Sequence, residues 1–302
     1  MDLPSAIVDY PASVTTNAHH LKVDNCKITY SFFASTTKAN TTLLFVHGHN
    51  ENRNWWHHIA VRCEDIGNAV TLDLSGNGDS QHRNRYSIEQ HAAEILAVAS
   101  ACSSHGRVFL VTHGLAYLVA VVAARIAGDK LSGLILVDPI GSFSPAQDDR
   151  MPFLLRLLKR VPCFSSYEAA LQVFNSNQTI FNAEPALMAV ISKYSFVNRG
   201  AKWYWKADPL YTSKLGRISE SLKSLLILTS LETNIGIIYG DQSTSFSKSQ
   251  IRIARTVVAE PLLVAVSDAG HHVFLDQPDH FIAALTNIAD EFDRRCTVTE
   301  ST

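Results

Sequence analysis

Short, continuous runs of apolar residues recur along this chain, separated by longer segments with helical periodicity. The runs lie at 42–46, 69–74, 108–111, 134–137, 235–239 and 262–266. The helical patterns lie at about 53–65, 87–103, 115–128, 248–258 and 278–293. A strand buried on both faces has no polar side, so continuous apolar runs are typical of a parallel sheet covered by helices. The alternation predicts an open α/β fold with a mostly parallel central sheet flanked by helices.

Two segments depart from this alternation. Between His20 and Ala34 apolar and polar residues alternate around Asp24-Asn25, which predicts two antiparallel strands joined by a turn. Residues 141–228 contain helical patterns at 153–160, 166–174 and 185–194 but no buried run. We therefore predict a core of residues 1–140 and 229–302, with a helical cap of residues 141–228 inserted after the strand that ends at Asp138. Such an insertion covers the sheet edge where α/β proteins bind ligands, so it is interpreted as a lid, or alternatively as a helical layer without a gating role.

Composition and charge exclude several classes of protein. The 302 residues carry a net charge of -2, which gives no long-range attraction for a phosphate backbone, so no nucleic-acid partner is expected. No apolar run approaches the roughly 20 residues of a membrane-spanning helix, and the first residues do not resemble a secretory signal. The five cysteines form no CxxC pair, which favours free thiols in a reducing, cytoplasmic location. No metal, nucleotide or flavin motif is present, so neither a metal site nor a cofactor is predicted, and the oligomeric state stays open.

Candidate functional residues collect where the predicted strands end. They occur in five segments: His47-Gly48-His49-Asn50, Asp73 to Ser80, Thr112-His113-Gly114-Leu115-Ala116, Asp138-Pro139 and Asp268-Ala269-Gly270-His271-His272. In this order and spacing they resemble the α/β-hydrolase superfamily over about residues 20 to 293. The resemblance implies an α/β-hydrolase fold whose active site lies at the carboxyl ends of the strands.

One position departs from that superfamily. Its members carry a catalytic nucleophile in a Gly-x-Ser-x-Gly turn between a strand and a helix. Here the serine position is Gly114, and Thr112 and Ala116 replace the flanking glycines. Glycine has no atom that attacks a carbonyl or a carbon–halogen bond, so covalent esterase, dehalogenase and epoxide-hydrolase mechanisms are excluded for the chain as written. Glycine also occupies the strained dihedrals of this turn without a Cβ penalty.

The resemblance implies a base and a supporting acid. His271 falls at the superfamily's base position, with a histidine of a surface loop as the alternative, and no role is expected for His272. The usual acid slot aligns with Ser243, and nearby Asp241 is interpreted as a turn residue. Asp138 occupies an alternative acid slot, although it could instead cap the first turn of the insertion. We therefore predict that Asp138 orients His271.

Further site residues follow from the same resemblance. The backbone N–H groups of His49 and Leu115 are expected to form an oxyanion hole. Buried histidines bonded to loop backbone are the favoured interpretation of His47 and His113. The candidate substrate-binding residues are Asn50, Trp55, His113, Trp203 and Trp205. For Trp55, Trp56 and the cluster Trp203-Tyr204-Trp205, packing is the alternative.

Three functions are compatible with these residues. In the first, a His271–Asp138 dyad performs general-base catalysis without cofactor on a small apolar substrate or a water, as in the cofactor-free ring-cleaving dioxygenases of the superfamily. In the second, the chain is a pseudoenzyme that binds a ligand or a partner. The N-myc downstream-regulated proteins resemble such a case. In the third, Gly114 is an inactivating change, natural or engineered, in an ordinary serine esterase or thioesterase. We favour the first hypothesis, because only the nucleophile is missing from the pattern.

Overall fold

A mixed central sheet organises the protein, which was analysed as a computed structural model that describes residues 18–103, 106–140, 163–176, 182–216 and 225–299. The strands are β1 (Ala18–Val23), β2 (Cys26–Phe33), β3 (Thr41–Val46), β4 (Asn68–Asp73), β5 (Arg107–His113), β6 (Gly133–Val137), β7 (Phe196–Arg199), β8 (Lys202–Trp205), β9 (Asn234–Gly240) and β10 (Leu263–Val266). Within the described ranges, eight of them form one sheet in the order β1-β2-β4-β3-β5-β6-β9-β10. The pairs β1–β2 and β2–β4 are antiparallel and the other neighbours are parallel, as predicted.

Helices cover this sheet. They are α1 (His57–Ala60), α2 (Ile88–Cys102), α3 (Tyr117–Ala127), α4 (Tyr167–Ser176), α5 (Pro185–Ser195), α6 (Tyr211–Lys214), α7 (Lys248–Val257), α8 (Val273–Asp276) and α9 (Pro278–Thr299). Phe292 of α9 contacts Phe109 of β5 edge to face, with ring centroids 5.3 Å apart, and is fully buried. In the described ranges no helix combines the length and the apolar character needed to cross a bilayer.

The helix predicted over 53–65 is wrong. A 3₁₀ turn at Arg53–Trp55 and the single turn of α1 replace it. The Asn52 side chain caps the 3₁₀ turn, and the buried guanidinium of Arg53 pairs with Asp73, whose carboxylate also accepts the Arg53 backbone N–H at 2.6 Å. These tertiary contacts, which the periodicity does not reveal, set the path of the chain here.

The segment between β6 and β9 contains more than helices. Helices α4 and α5 match two of the predicted patterns, whereas the pattern at 153–160 lies outside the described residues. The aromatic cluster Trp203-Tyr204-Trp205 lies in β8, which pairs with β7 in an antiparallel hairpin around Gly200 at φ +70°. Trp205 packs against its cross-strand neighbour Phe196 with ring centroids 4.2 Å apart. Strands of four residues are too short for their alternation to stand out in the sequence, so the helical patterns did not reveal this hairpin.

The register of the sheet brings the candidate segments to one edge. Val46 pairs with Thr112, and His113 pairs with Val137, so β3, β5 and β6 end side by side. The loops that begin at His47, Gly114 and Asp138 therefore leave the sheet next to one another.

Candidate active site

The turn after β5 directs the side-chain position of Gly114 toward His271. Gly114 adopts φ +56°, in the left-handed region that favours glycine. A Cβ built on it would lie 3.3 Å from His271 Nε2 and 3.8 Å from Ile140 Cδ1. The vacant position therefore faces the imidazole of His271.

His271 is held by a buried carboxylate. Its Nδ1 lies 2.8 Å from Oδ1 of Asp138, and Asp138 is inaccessible to solvent. The same carboxylate accepts the Ser243 hydroxyl at 2.8 Å and the Gly240 N–H at 3.2 Å. Asp138 itself has φ +43°, a strained conformation for a residue with a Cβ. The Ser243 hydroxyl and the Gly240 N–H thus fix the carboxylate opposite the imidazole, and the Asp138 backbone is held by its N–H, which donates to the Ile238 carbonyl at 2.8 Å.

Ser243, at the position where the superfamily usually has its catalytic acid, bonds to Asp138. Ser243 donates to Asp138, whereas Asp241 is exposed and its backbone N–H donates to the Val266 carbonyl at 3.0 Å. Asp241 therefore lies in a solvent-facing turn and does not contact His271.

Burial decides the protonation of His271. Burial lowers the pKa of its imidazole to about 4; the positive charge of His113 lowers the pKa as well, and Asp138 only partly opposes both effects. At neutral pH the ring is therefore uncharged, with the Nδ1 proton donated to Asp138 and Nε2 able to accept a proton.

A second group of ionisable residues lies behind His271. Oε1 of Glu51 is 2.8 Å from Nδ1 of His113 and 3.2 Å from Nε2 of His272, and all three side chains are buried. The other oxygen of Glu51 accepts the Gly48 N–H at 2.7 Å. Nε2 of His113 lies 3.1 Å from the His271 carbonyl, and the rings of His113 and His271 are 4.4 Å apart.

This group carries opposite charges. Burial alone would raise the pKa of Glu51, but the charge and hydrogen bonds of His113 and His272 hold it well below its usual value. Burial would lower the pKa of His113, but Glu51 and the His271 carbonyl raise it. His113 therefore bonds to Glu51 through Nδ1 and to the His271 carbonyl through Nε2, so both of its ring nitrogens have partners within the protein.

The loop after β3 has the expected backbone character. His47 Nδ1 lies 2.8 Å from the Gly48 carbonyl, and its Nε2 accepts the Leu74 N–H at 3.2 Å, so this histidine bonds to loop backbone. His49 and Asn50 are half-buried; the His49 ring lies 5.7 Å from that of Tyr211, and Asn50 has φ +68°. Leu115 follows Gly114 in the 3₁₀ turn that leads into α3.

The tryptophans predicted to bind substrate lie in two separate groups of aromatic side chains. Trp55 is buried between His272 and Phe174, at ring distances of 5.3 and 5.9 Å, and Phe174 lies 6.2 Å from Trp205. Trp203 instead contacts Tyr167 of α4 at 5.0 Å. Trp55 and Trp205 therefore lie on either side of Phe174 between the core and the insertion, and Trp203 packs within the insertion.

Sequence reasoning missed two members of the buried group. Glu51 received no role, and none was expected for His272, yet both contact one another beside His271. The position of Glu51 three residues after Gly48 gave no local signal, because its partners come from loops distant in sequence.

A parallel sheet with a left-handed turn after its central strand and a histidine after its last strand defines a protein of the α/β-hydrolase class. The model of the α/β hydrolase family matches residues 43–285, so the chain belongs to this family, whose members are typically hydrolytic enzymes.

Similar proteins share this fold across different reactions. A haloalkane dehalogenase of Sphingobium indicum is 26% identical over 103 residues, which is 32% of this chain and 35% of the dehalogenase, so the match spans about a third of that relative. The structure of an E-2-(acetamidomethylene)succinate hydrolase has a TM-score of 0.75 at 17% identity, over 90% of this chain and 98% of the other. A peroxisomal α/β-hydrolase of Saccharomyces cerevisiae has a TM-score of 0.72 at 15% identity, over 92% and 85% of the two chains.

Proposed function

We propose that this chain is an α/β-hydrolase-fold enzyme in which His271, oriented by Asp138, acts as a general base without a covalent nucleophile or a cofactor. The observation that carries the proposal is the geometry of one imidazole. Its Nδ1 is bonded to Asp138 at 2.8 Å, and its Nε2 faces the vacant side-chain position of Gly114 at 3.3 Å. We propose that a substrate or a water bound next to Nε2 on this side gives up its proton to the imidazole.

Asp138 supports the two protonation states that such a base passes through. Its carboxylate accepts a hydrogen bond from the Nδ1–H group, which fixes the tautomer in which Nε2 carries no proton. When Nε2 takes up a proton, the same carboxylate stabilises the imidazolium. The Ser243 hydroxyl and the Gly240 N–H, which donate to this carboxylate, keep it in place during this cycle.

The surroundings favour a small, largely apolar substrate. Half-buried Trp205 offers apolar surface on the insertion, and it packs on buried Phe174, which in turn contacts Trp55 beside His272. In this proposal the backbone N–H groups of His49 and Leu115 donate hydrogen bonds to the negative charge that develops on the substrate. Asn50, on the half-buried loop after β3, supplies a polar contact at the rim.

Proton transfer can be tested without knowing the product. The wild-type protein is incubated in D₂O with a panel of small C–H acids, aryl esters and thioesters, and deuterium uptake and hydrolysis are followed by mass spectrometry. His271→Gln keeps the size and polarity of the side chain but removes the base. We expect exchange or turnover in the wild type and a loss of about 10²–10⁴-fold in His271→Gln.

The outcomes separate the hypotheses. Equal activity in both proteins contradicts the assignment of His271 as the base. Binding of panel compounds without conversion in either protein favours a pseudoenzyme that serves as a binding module.

A second candidate is a serine esterase or thioesterase whose nucleophile has been lost. The left-handed turn at Gly114 and the direction of its Cβ position toward His271 favour it, because a serine there would lie beside the imidazole. Restoring the serine tests this candidate directly.

A further inference from the structure

We propose that Glu51, His113 and His272 form a binding site for a divalent transition-metal ion, with Zn²⁺ as the best match to the donors. The three residues bring one carboxylate oxygen and two imidazole nitrogens within 4.8 Å of one another, and all three are buried. One carboxylate and two histidines, with a fourth position left for water, is an established donor set for zinc. The inference is independent of the proposed role of His271.

In Glu51 and His113, the atom that does not face the cluster has the partner that a metal ligand requires. A histidine bound to a metal usually donates its other ring N–H to a carbonyl or a carboxylate, which fixes the ring. Nε2 of His113 lies 3.1 Å from the His271 carbonyl, which leaves Nδ1 to face the cluster. Oε2 of Glu51 accepts the Gly48 N–H at 2.7 Å, which leaves Oε1 to face it. Two of the three ligands are therefore already oriented.

Gly48 keeps the space beside these donors open. A Cβ at this position would lie 2.7 Å from His113 Nδ1 and 2.8 Å from Glu51 Oε1. The φ of Gly48 is not in the left-handed region, so backbone strain does not account for the glycine. Its missing side chain instead leaves the two donor atoms uncovered on that side.

Metal binding balances with the release of one proton. Without metal, Oε1 of Glu51 is hydrogen-bonded to Nδ1 of His113 and to Nε2 of His272, so each of these nitrogens carries a proton that faces the carboxylate. The ion replaces the Nδ1 proton of His113, which leaves the protein. The Nε2 proton of His272 moves to its other nitrogen, so Nε2 becomes a ligand, and nothing is oxidised or reduced.

The experiment measures metal binding and not activity. The full chain is stripped with a chelator and titrated with Co²⁺ or Zn²⁺, with the visible spectrum of Co²⁺ and the metal content after dialysis as readouts. Glu51→Gln and His272→Ala each remove one ligand. The matched control is His280→Ala, since His280 is exposed and lies outside the cluster.

We expect one ion per chain in the wild type and in His280→Ala, and binding at least about 100-fold weaker in both ligand variants. The Co²⁺ spectrum should show nitrogen and oxygen ligands without a thiolate band, although the chain has five free cysteines. No stoichiometric binding in the wild type overturns the proposal. Equal binding in the ligand variants, or a thiolate band, overturns it as well.

Circular dichroism establishes whether the ligand variants fold. If one of them does not, the decision rests on the wild type and His280→Ala. A rise in Tm on adding Zn²⁺ together with a nitrogen–oxygen spectrum supports the site, and an unchanged Tm contradicts it.

Discussion

Replacing Gly114 by serine tests the geometry of the site most directly. The new Cβ would lie 3.3 Å from His271 Nε2, 3.4 Å from Cε1 and 3.8 Å from Ile140 Cδ1, so the side chain fits with a shift of a few tenths of an ångström in the imidazole. Its hydroxyl would then lie beside a base that Asp138 already orients. We expect the variant to gain esterase activity.

Both the loss of stability and the gain in esterase activity of Gly114→Ser can be bounded. Gly114 has φ +56°, and a residue with a Cβ in the left-handed region costs about 1–2 kcal/mol. Large domains lose roughly 2–4 °C in Tm per kcal/mol, so a decrease of about 2–8 °C is expected. Removing the serine from an intact triad costs about 10⁶-fold in kcat, which sets the upper limit of the gain. We expect at least about 10³-fold, since the base and its acid are in place.

The assay is hydrolysis of short p-nitrophenyl esters, with detection of an acyl-enzyme by mass spectrometry. Gly114→Ala is the matched control, because it has the same backbone strain and the same Cβ but no hydroxyl. The double variant Gly114→Ser/His271→Gln tests whether any gain depends on the base.

Two results would refute the reasoning. If Gly114→Ser is no more active than Gly114→Ala, the hydroxyl does not reach His271. If the gain survives in the double variant, the serine acts without His271.

Three further predictions concern the acid, the core and the response to pH. Asp138→Asn should lower His271-dependent exchange by about 10²–10⁴-fold, because the tautomer of the imidazole is no longer fixed. Phe292→Ala should cost about 3–5 kcal/mol in urea unfolding, since the ring is fully buried. For Asp79, burial would raise the pKa, but Arg53 and Lys206 lower it below its ordinary value. The stabilisation by Asp79 is therefore complete above about pH 4, the pKa of this group in the unfolded chain, and it is lost as the pH falls through the lower pKa of the folded protein. Measurements of Tm between pH 3 and about pH 7 check this.

Each of these predictions has a control. Unchanged exchange in a folded Asp138→Asn protein would contradict the orienting role. Ile126→Ala, at a side chain that is 59% exposed, should change the free energy of unfolding by less than about 0.5 kcal/mol. Lys206→Met removes a cation 2.5 Å from Asp79, so the loss of Tm at acid pH should become smaller. An equal loss in that variant would show that other groups dominate.

Much of the fold was predictable from local patterns. The six apolar runs all became strands of the parallel part of the sheet, and the alternation around Asp24-Asn25 became the β1–β2 hairpin. A strand buried on both faces appears in the sequence as a continuous apolar run, so these strands could be predicted without tertiary information. The helix at 53–65 failed because the ion pair of Arg53 with Asp73 joins segments that are distant in sequence.

The candidate site divides in the same way. The sequence by itself determined that no side chain stands at position 114, because the identity of a residue and its place in a motif are local facts. Only the tertiary structure decided that Asp138, and not Asp241, lies against His271, and that Glu51, His113 and His272 meet behind it. These contacts join loops that leave different strands, and their distances depend on sheet register and loop path, which composition and periodicity do not encode.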